Sequence, residues 1–296
     1  MSKSIKLFLL FTLIAMSLSS GFAQNEVEGI AQRKSIPPPY LSIEDNWIDQ
    51  HMSEMSLREK IGQLFMVAAY SNKGKRHTEQ LKKQIEDYNI GGLIFFQGAP
   101  HAQAKFTNQL QSISNIPLLI AQDAEWGLSM RLDSVIGLPK QLALGAVRNN
   151  ELIFDYGRIV GEQCKRIGVH INLAPVVDVN NNIENPVIND RSFGENIYNV
   201  ANKSIAYMKG MQDKGIIACA KHFPGHGDTD SDSHKTLPTI SHDRSRLDSI
   251  ELYPFKKLID NGIGSIMSAH LYVPNLDSNK YASSLSKKIN HDLLKK

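Results

Sequence analysis

Residues 199–215 read NVANKSIAYMKGMQDKG, and residues 216–223 follow directly as IIACAKHF. The first stretch spaces its apolar residues with the 3.6-residue period of a helix that buries one face. The second is short and apolar until it reaches Lys221 and His222, with no alternation of polar side chains. A strand of that kind is buried on both faces, and such strands belong to parallel sheets covered by helices.

The same pair of elements recurs along the chain. The pattern predicts a helix over Leu57–Gln63 and a strand over Leu64–Ala69. Next come helix Thr78–Tyr88 with strand Gly91–Phe96, and helix Ala102–Ile113 with strand Pro117–Asp123. Helix Asn150–Gly168 leads into strand Val169–Pro175, and helix Arg246–Gly262 into strand Ser265–His270. SKKINHDLLKK, residues 286–296, begins a further helix. The chemistry-bearing residues stand at strand C-terminal ends: Asp123; Asp178 with Arg191 further along its loop; Lys221 and His222; His270. Barrels build active sites on that face. A doubly wound open sheet would instead gather its ligand groups at one switch point. The fold expected is therefore an α/β, TIM-like (β/α)8 barrel. It is incomplete, with about six of the eight strand–helix units.

The chain has 296 residues, 42% hydrophobic and 21% charged, an ordinary globular composition. Its first residues, MSKSIKLFLLFTLIAMSLSSGFAQ, place Lys3 and Lys6 before the apolar run Leu7–Met16. Small residues follow, ending in Gly21-Phe22-Ala23. That is the pattern of a secretory signal peptide cleaved after Ala23, and it implies a secreted or periplasmic protein. The run is shorter than the ~20 residues that span a bilayer, so no stable membrane insertion is expected after cleavage. Removing Lys3 and Lys6 leaves 31 Lys and Arg against 30 Asp and Glu. That balance gives no reason to expect a nucleic acid partner. The domain reading is a signal peptide over 1–23, a polar arm with Pro37–Pro39 over 24–46, and the barrel domain over 47–296. Cys164 and Cys219 are expected to be buried free thiols, and neither spacing suits zinc. Oligomeric state is not legible in the sequence.

KHFPGHGDTDSDSHKTLP, residues 221–238, packs three histidines and three aspartates into one irregular loop. As metal ligands, His222, His226, His234, Asp228, Asp230 and Asp232 have the right chemistry. However, Pro224 and Gly225 forbid the helix on which paired histidines hold zinc. As plain loop residues they need no function. As an acid–base pair, Asp232 and His234 stand two apart, so on an extended segment they point the same way. The carboxylate would then fix the imidazole tautomer and raise its pKa toward the working range. Gly225 and Gly227 would let the loop swing.

This loop resembles the signature of glycoside hydrolase family 3, in its β-N-acetylglucosaminidase branch. EKIGQLFMV (59–67), GGLIFF (91–96), AQDAEWGLSMRL (121–132), INLAPVVDVN (171–180) and NDRSFGEN (189–196) are similar to the family's other landmarks, in order. The resemblance runs from about Trp47 to Lys296. It implies a TIM-like barrel that removes terminal β-linked N-acetylglucosamine with retention of configuration, with no metal and no other cofactor. Peptidoglycan fragments and chitin-like oligosaccharides would both offer such an end. By position, Asp123 would hold the sugar's outer hydroxyls, and Arg131, Arg191, Lys221 and His222 would line the same pocket. His234 would be the acid/base and Asp232 its partner.

Bland readings stand beside these roles. Asp123 could cap a turn, Arg191 could hold its own loop, and Lys221 with His222 could be a buried polar pair. Asp178 and His270 rank as structural, and His226 as a loop-shaping residue. Two departures from the family pattern stand out. Ala124-Glu125-Trp126-Gly127 replaces the frequent Gln-Glu-Gly-Gly, which places Trp126 where it could stack on a sugar or narrow the pocket. The aspartate nucleophile at the end of the family's seventh strand has no counterpart here, and Asp292 is a poor substitute. The nucleophile is therefore expected beyond Lys296, and residues 24–296 alone are expected to turn over no N-acetylglucosaminide. A non-catalytic carbohydrate-binding relic and a metal-dependent hydrolase are the alternatives.

Overall fold

The computed structural model describes residues 36–43 and 45–295. The stretches expected to be a signal peptide and much of a polar arm, residues 1–35 and 44, lie outside them, as does residue 296. Six strands form one sheet: β1 Met66–Ala69, β2 Gly92–Phe95, β3 Leu119–Gln122, β4 Ile171–Asn172, β5 Ile217–Phe223 and β6 Ser265–Ser268. They pair in chain order, and every pairing is parallel. A doubly wound sheet reverses its order partway. This one never does, so the six units trace the arc of an incomplete (β/α)8 barrel.

The strands fall where the apolar runs predict them, trimmed at the ends. The trimming is greatest at β4. Past Asn172 the chain leaves β3, and Val176 forms an isolated parallel bridge with Lys221. Helix Asn150–Arg166 begins at Asn149, whose side chain accepts from Glu151 N, and carries Lys165 and Arg166 in its last turn. Both features offset the orphan groups and the dipole of a helix. It packs on helix Ile197–Asp213 through Tyr156 and Tyr207, whose rings meet edge to face at 5.4 Å. Between helices and sheet lies a continuous core that includes Phe95, Ile120, Val160, Met208 and Phe255. Cys164 and Cys219 are both buried and free.

One expected helix is two. Residues 246–262 divide into Arg244–Ser249 and Tyr253–Asp260. Pro254 sits in the first turn of the second helix, the place where a missing N–H costs nothing. The break puts Glu251 in a turn. At the chain's end, Lys288–Leu293 winds as a short π-helix.

Among the described residues, β1 and β6 each pair on one side only. The entry to β1 shows apolar surface: Leu64 is 84% and Phe65 57% exposed. From the arm, Tyr40 Oη donates to the Gly264 carbonyl at 2.6 Å. No helix among the described residues is long and apolar enough to cross a membrane.

Candidate active site

The C-terminal ends of the strands surround a cavity of about 720 Å³. Asp123, Arg131, Arg191, Lys221, His222 and His234 all line it. Asp232 does not, and reaches it through His234. Lys221 and His222 are neighbours in β5, so a regular strand would send them to opposite faces. The register between β5 and β6 shifts between Lys221 and Phe223, and that irregularity brings both to one cavity.

These residues form one chain of ion pairs and hydrogen bonds. Arg131 pairs with Asp123 Oδ2. Lys221 Nζ lies 2.8 Å from Asp123 Oδ1 and 2.8 Å from Glu125 Oε1. Arg191 grips Glu125 with both arms of its fork, Nε to Oε2 at 2.9 Å and Nη2 to Oε1 at 2.6 Å. Arg191 Nη2 then lies 3.5 Å from His222 Nε2. His222 Nδ1 meets Asp178 Oδ2 at 2.7 Å, and Asp178 Oδ1 accepts from the backbone N–H of His226, also at 2.7 Å. His226 in turn contacts Thr229 Oγ1 at 2.7 Å through Nδ1 and Ser233 Oγ at 2.9 Å through Nε2. Ser233 is the residue before His234.

Burial alone would raise the carboxyl pKa values here, but the cations outweigh it. Glu125, with no exposed surface, is held down to about 2 by Lys221 and Arg191. Asp123 is lowered by Lys221 and Arg131, against burial. Asp178 is lowered by His222 and His226, again against burial. The Lys221 ammonium is disfavoured by burial, yet Glu125 and Asp123 raise its pKa. His222 is lowered, chiefly by burial, although Asp178 pulls the other way. Its ring is therefore neutral at pH 7, with the proton on Nδ1 facing the Asp178 carboxylate. That leaves Nε2 as an acceptor on the pocket side. Three carboxylates, three cations and a neutral imidazole make a balanced array. A sugar hydroxyl meeting it finds both donors and acceptors.

His234 and Asp232 do pair, but not on an extended segment as the sequence suggests. Residues 233–235 form a turn, and Asp232 Oδ1 accepts both the backbone N–H of His234 at 2.9 Å and its Nδ1 at 2.8 Å. The carboxylate of Asp232 is lowered by these two bonds, the backbone one first. The side chain of His234 is 80% exposed at the rim. Gly225 and Gly227 serve close packing in this structure rather than a hinge. A Cβ on Gly227 would lie 1.8 Å from the Val179 carbonyl oxygen, and Gly225 has φ +129°.

Asp178, ranked structural from the sequence, positions His222 and His226. His226 is buried and shapes the loop. His270 lines the pocket, with Nδ1 2.5 Å from Ser284 Oγ. Trp126 also lines it, with Lys140 Nζ 5.0 Å from its ring centre. Glu125 is the residue that sequence reasoning left without a role. Its signal was a second carboxylate two residues after Asp123 at the strand exit, in the position of the Glu in Gln-Glu-Gly-Gly. The loop's histidines and aspartates do not converge as metal ligands. Among the described residues, the three that do are Asp228, His242 and Glu251, and only the first was a candidate.

The structure is that of an incomplete parallel (β/α)8 barrel with a charge-balanced array at its strand ends and a His–Asp pair on the rim. The chain belongs to glycoside hydrolase family 3: residues 56–296 match the "Glycosyl hydrolase family 3 N terminal domain". It is 36% identical over 219 residues to Beta-hexosaminidase A of Pseudoalteromonas piscicida, covering 69% of this chain and 37% of that one. It is 32% identical over 238 residues to Beta-hexosaminidase LpqI of Mycobacterium tuberculosis, covering 77% and 58%. Among solved structures, a family 3 β-N-acetylglucosaminidase from Paenibacillus sp. str. FPU-7 superposes with a TM-score of 0.74 at 38% identity. That match covers 79% of this chain and 46% of the other. NagZ from Neisseria gonorrhoeae, in complex with N-trifluoroacetyl-D-glucosamine, superposes with a TM-score of 0.70 at 26% identity, covering 78% and 70%. The chain thus spans between 37% and 58% of the length of these two hexosaminidases.

Proposed function

We propose that this chain carries the sugar pocket and the acid/base of a retaining exo-β-N-acetylglucosaminidase. The substrates would be peptidoglycan fragments or chitin-like oligosaccharides with a terminal β-linked N-acetylglucosamine, met outside the cytoplasm after secretion. The observation that carries the reading is the unbroken polar path from Arg131 to Ser233, which ends beside His234. Relatives named beta-hexosaminidase and a solved relative holding an N-acylglucosamine support the sugar assignment.

In this reading Asp123, Arg131, Arg191, Lys221 and the Nε2 of His222 grip the hydroxyls of the sugar. Protonated His234 gives its proton to the glycosidic oxygen as the bond to the anomeric carbon breaks. It later takes a proton from the water that releases the sugar. Asp232, ionised and bonded to Nδ1, fixes the tautomer and stabilises the imidazolium. A retaining mechanism also needs a carboxylate nucleophile. Asp123, Glu125 and Asp178 have their oxygens committed to cations, an imidazole or backbone N–H groups, so the reading gives none of them that role. It places the nucleophile outside residues 1–296.

The test compares the product of the complete reading frame with residues 24–296, each on an aryl β-N-acetylglucosaminide and an aryl β-glucoside. The expected result is N-acetylglucosaminide turnover by the former, and sugar binding without turnover by the latter. Turnover of the glucoside alone would overturn the substrate. Activity of residues 24–296 within about tenfold of the whole would overturn the nucleophile placement.

A further inference from the structure

Asp228, His242 and Glu251 each bring one ligand atom to within 4.8 Å of the others, and none of the three lines the sugar pocket. Asp228 belongs to the loop that carries His234. His242 and Glu251 flank the short helix Arg244–Ser249. Glu251 sits beneath the loop, so close that a Cβ on Gly225 would lie 2.8 Å from its own Cβ.

The electrostatics of this cluster are incomplete. The Glu251 side chain is 2% exposed, and its Oε2 accepts no hydrogen bond from any described residue. Its Oε1 has two long partners, Asn181 Nδ2 and Arg246 Nη2, both at 3.3 Å. Burial raises the Glu251 pKa, which Arg246 and His242 only partly oppose. Arg246 Nη2 stands 3.7 Å from Asp228 Oδ2, and its buried Nε has no acceptor among the described residues. An orphaned buried carboxylate oxygen is costly unless something cationic meets it. Arg246 meets it poorly, and its side chain is 35% exposed, so it has solvent to move into.

We propose that Asp228, His242 and Glu251 form a binding site for one divalent transition-metal ion, zinc fitting best, at the root of the acid/base loop. One imidazole nitrogen and two carboxylates suit zinc better than calcium or magnesium, which take oxygen ligands. Atoms no more than 4.8 Å apart can close on an ion at bond lengths of ~2.0–2.2 Å by side-chain rotation. His242 Nε2 and Asp228 Oδ2, now in direct contact, would open around it. The ion takes over from Arg246 as the counter-charge of Glu251 and pins the loop to the turn before helix Tyr253–Asp260. This site is separate from the proposed glycosidase chemistry and does not depend on it.

The experiment uses the purified, tag-free chain stripped with chelator. Calorimetric titration with zinc, manganese and calcium salts is expected to show one zinc per chain and no comparable calcium site. His242→Gln and Glu251→Gln are each expected to weaken zinc at least about tenfold. His234→Ala, in the sugar pocket, should leave it bound. X-ray absorption at the zinc edge reads the donor set without any variant, and one imidazole with oxygen donors is expected. The proposal is overturned by no stoichiometric zinc, by two or more imidazoles on the metal, or by loss of binding on His234→Ala. Unchanged affinity in both folded glutamine variants overturns it as well.

Discussion

Replacing Glu125 by glutamine keeps the side chain's shape and removes its charge from beneath Lys221 and Arg191. The fully buried carboxyl titrates near 2 in the folded chain against an ordinary value of 4.5. At ~1.4 kcal/mol for each pH unit, that fall corresponds to about 3 kcal/mol of folding stability. Breaking a buried ion pair from one side costs ~3–5 kcal/mol, so two independent routes agree on the size. The folded pKa is the lower one. The contribution is therefore complete above the unfolded value of 4.5 and drains away as pH falls toward 2. In a chain of this size, the loss lowers Tm by roughly 6–12 °C at neutral pH. Urea unfolding of both proteins, followed by the fluorescence of Trp47 and Trp126, reads the difference at pH 7 and again near pH 3. The expected gap is about 3 kcal/mol at pH 7 and clearly smaller in acid. Equal stability at pH 7, or a gap that persists undiminished near pH 3, would refute the reasoning.

Other outcomes follow from the same geometry. In the product of the complete reading frame, His234→Ala, at an exposed rim position, is expected to cut N-acetylglucosaminide turnover by ~10²–10⁴. Stability should hold within ~0.5 kcal/mol, measured by thermal unfolding beside the kinetics. Asp178→Asn removes the charged acceptor of His222 Nδ1 and of two backbone N–H groups. It should cost ~2–3 kcal/mol in urea unfolding. It should also loosen the neutral, Nδ1-protonated state of His222, which ¹⁵N NMR near pH 7 is expected to show in the parent and to show less populated in the variant. Gly227→Ala forces a methyl against the Val179 carbonyl and should destabilise by ~1–3 kcal/mol. Gly74→Ala has nothing within 4 Å of the added carbon and is the control, expected within ~0.5 kcal/mol. Burial pushes the Cys164 thiol up to about 12 and raises that of Cys219. Neither should react with iodoacetamide at pH 8 until the chain is unfolded in guanidinium.

The six strands were legible because a strand buried on both faces leaves an unbroken apolar run. Their consecutive order was legible because a helix separates each from the next. What escaped had long-range or turn-level causes. Glu125 is buried under partners far along the chain, Arg191 66 residues further on and Lys221 in β5. Nothing near Glu125 in the chain announces that. The Asp232–His234 spacing was read as extended, yet a turn closed by the aspartate itself brings the two together at the same spacing. Pro254 was a visible helix breaker, overridden in the reading by apolar residues such as Leu247 and Leu258 that keep the period on both sides. The Asp228–His242–Glu251 convergence depends on where that break falls.

The alternating charges of the pocket are already closed on one another in the free protein. The array is thus preorganised: little side-chain entropy is left to lose when a ring docks, and little reorientation is needed as charge develops. Such a lattice is also unforgiving. A ring lacking one hydroxyl would strand a buried donor and a buried acceptor together, a penalty larger than one ordinary hydrogen bond. The rim is the opposite case: Trp126 and His234 stand there outside the ion-pair array, His234 with an 80% exposed side chain, and leave room beyond the ring. Under the function proposed above, substitutions at the rim would change what is accepted beyond the ring while the buried array stays unchanged.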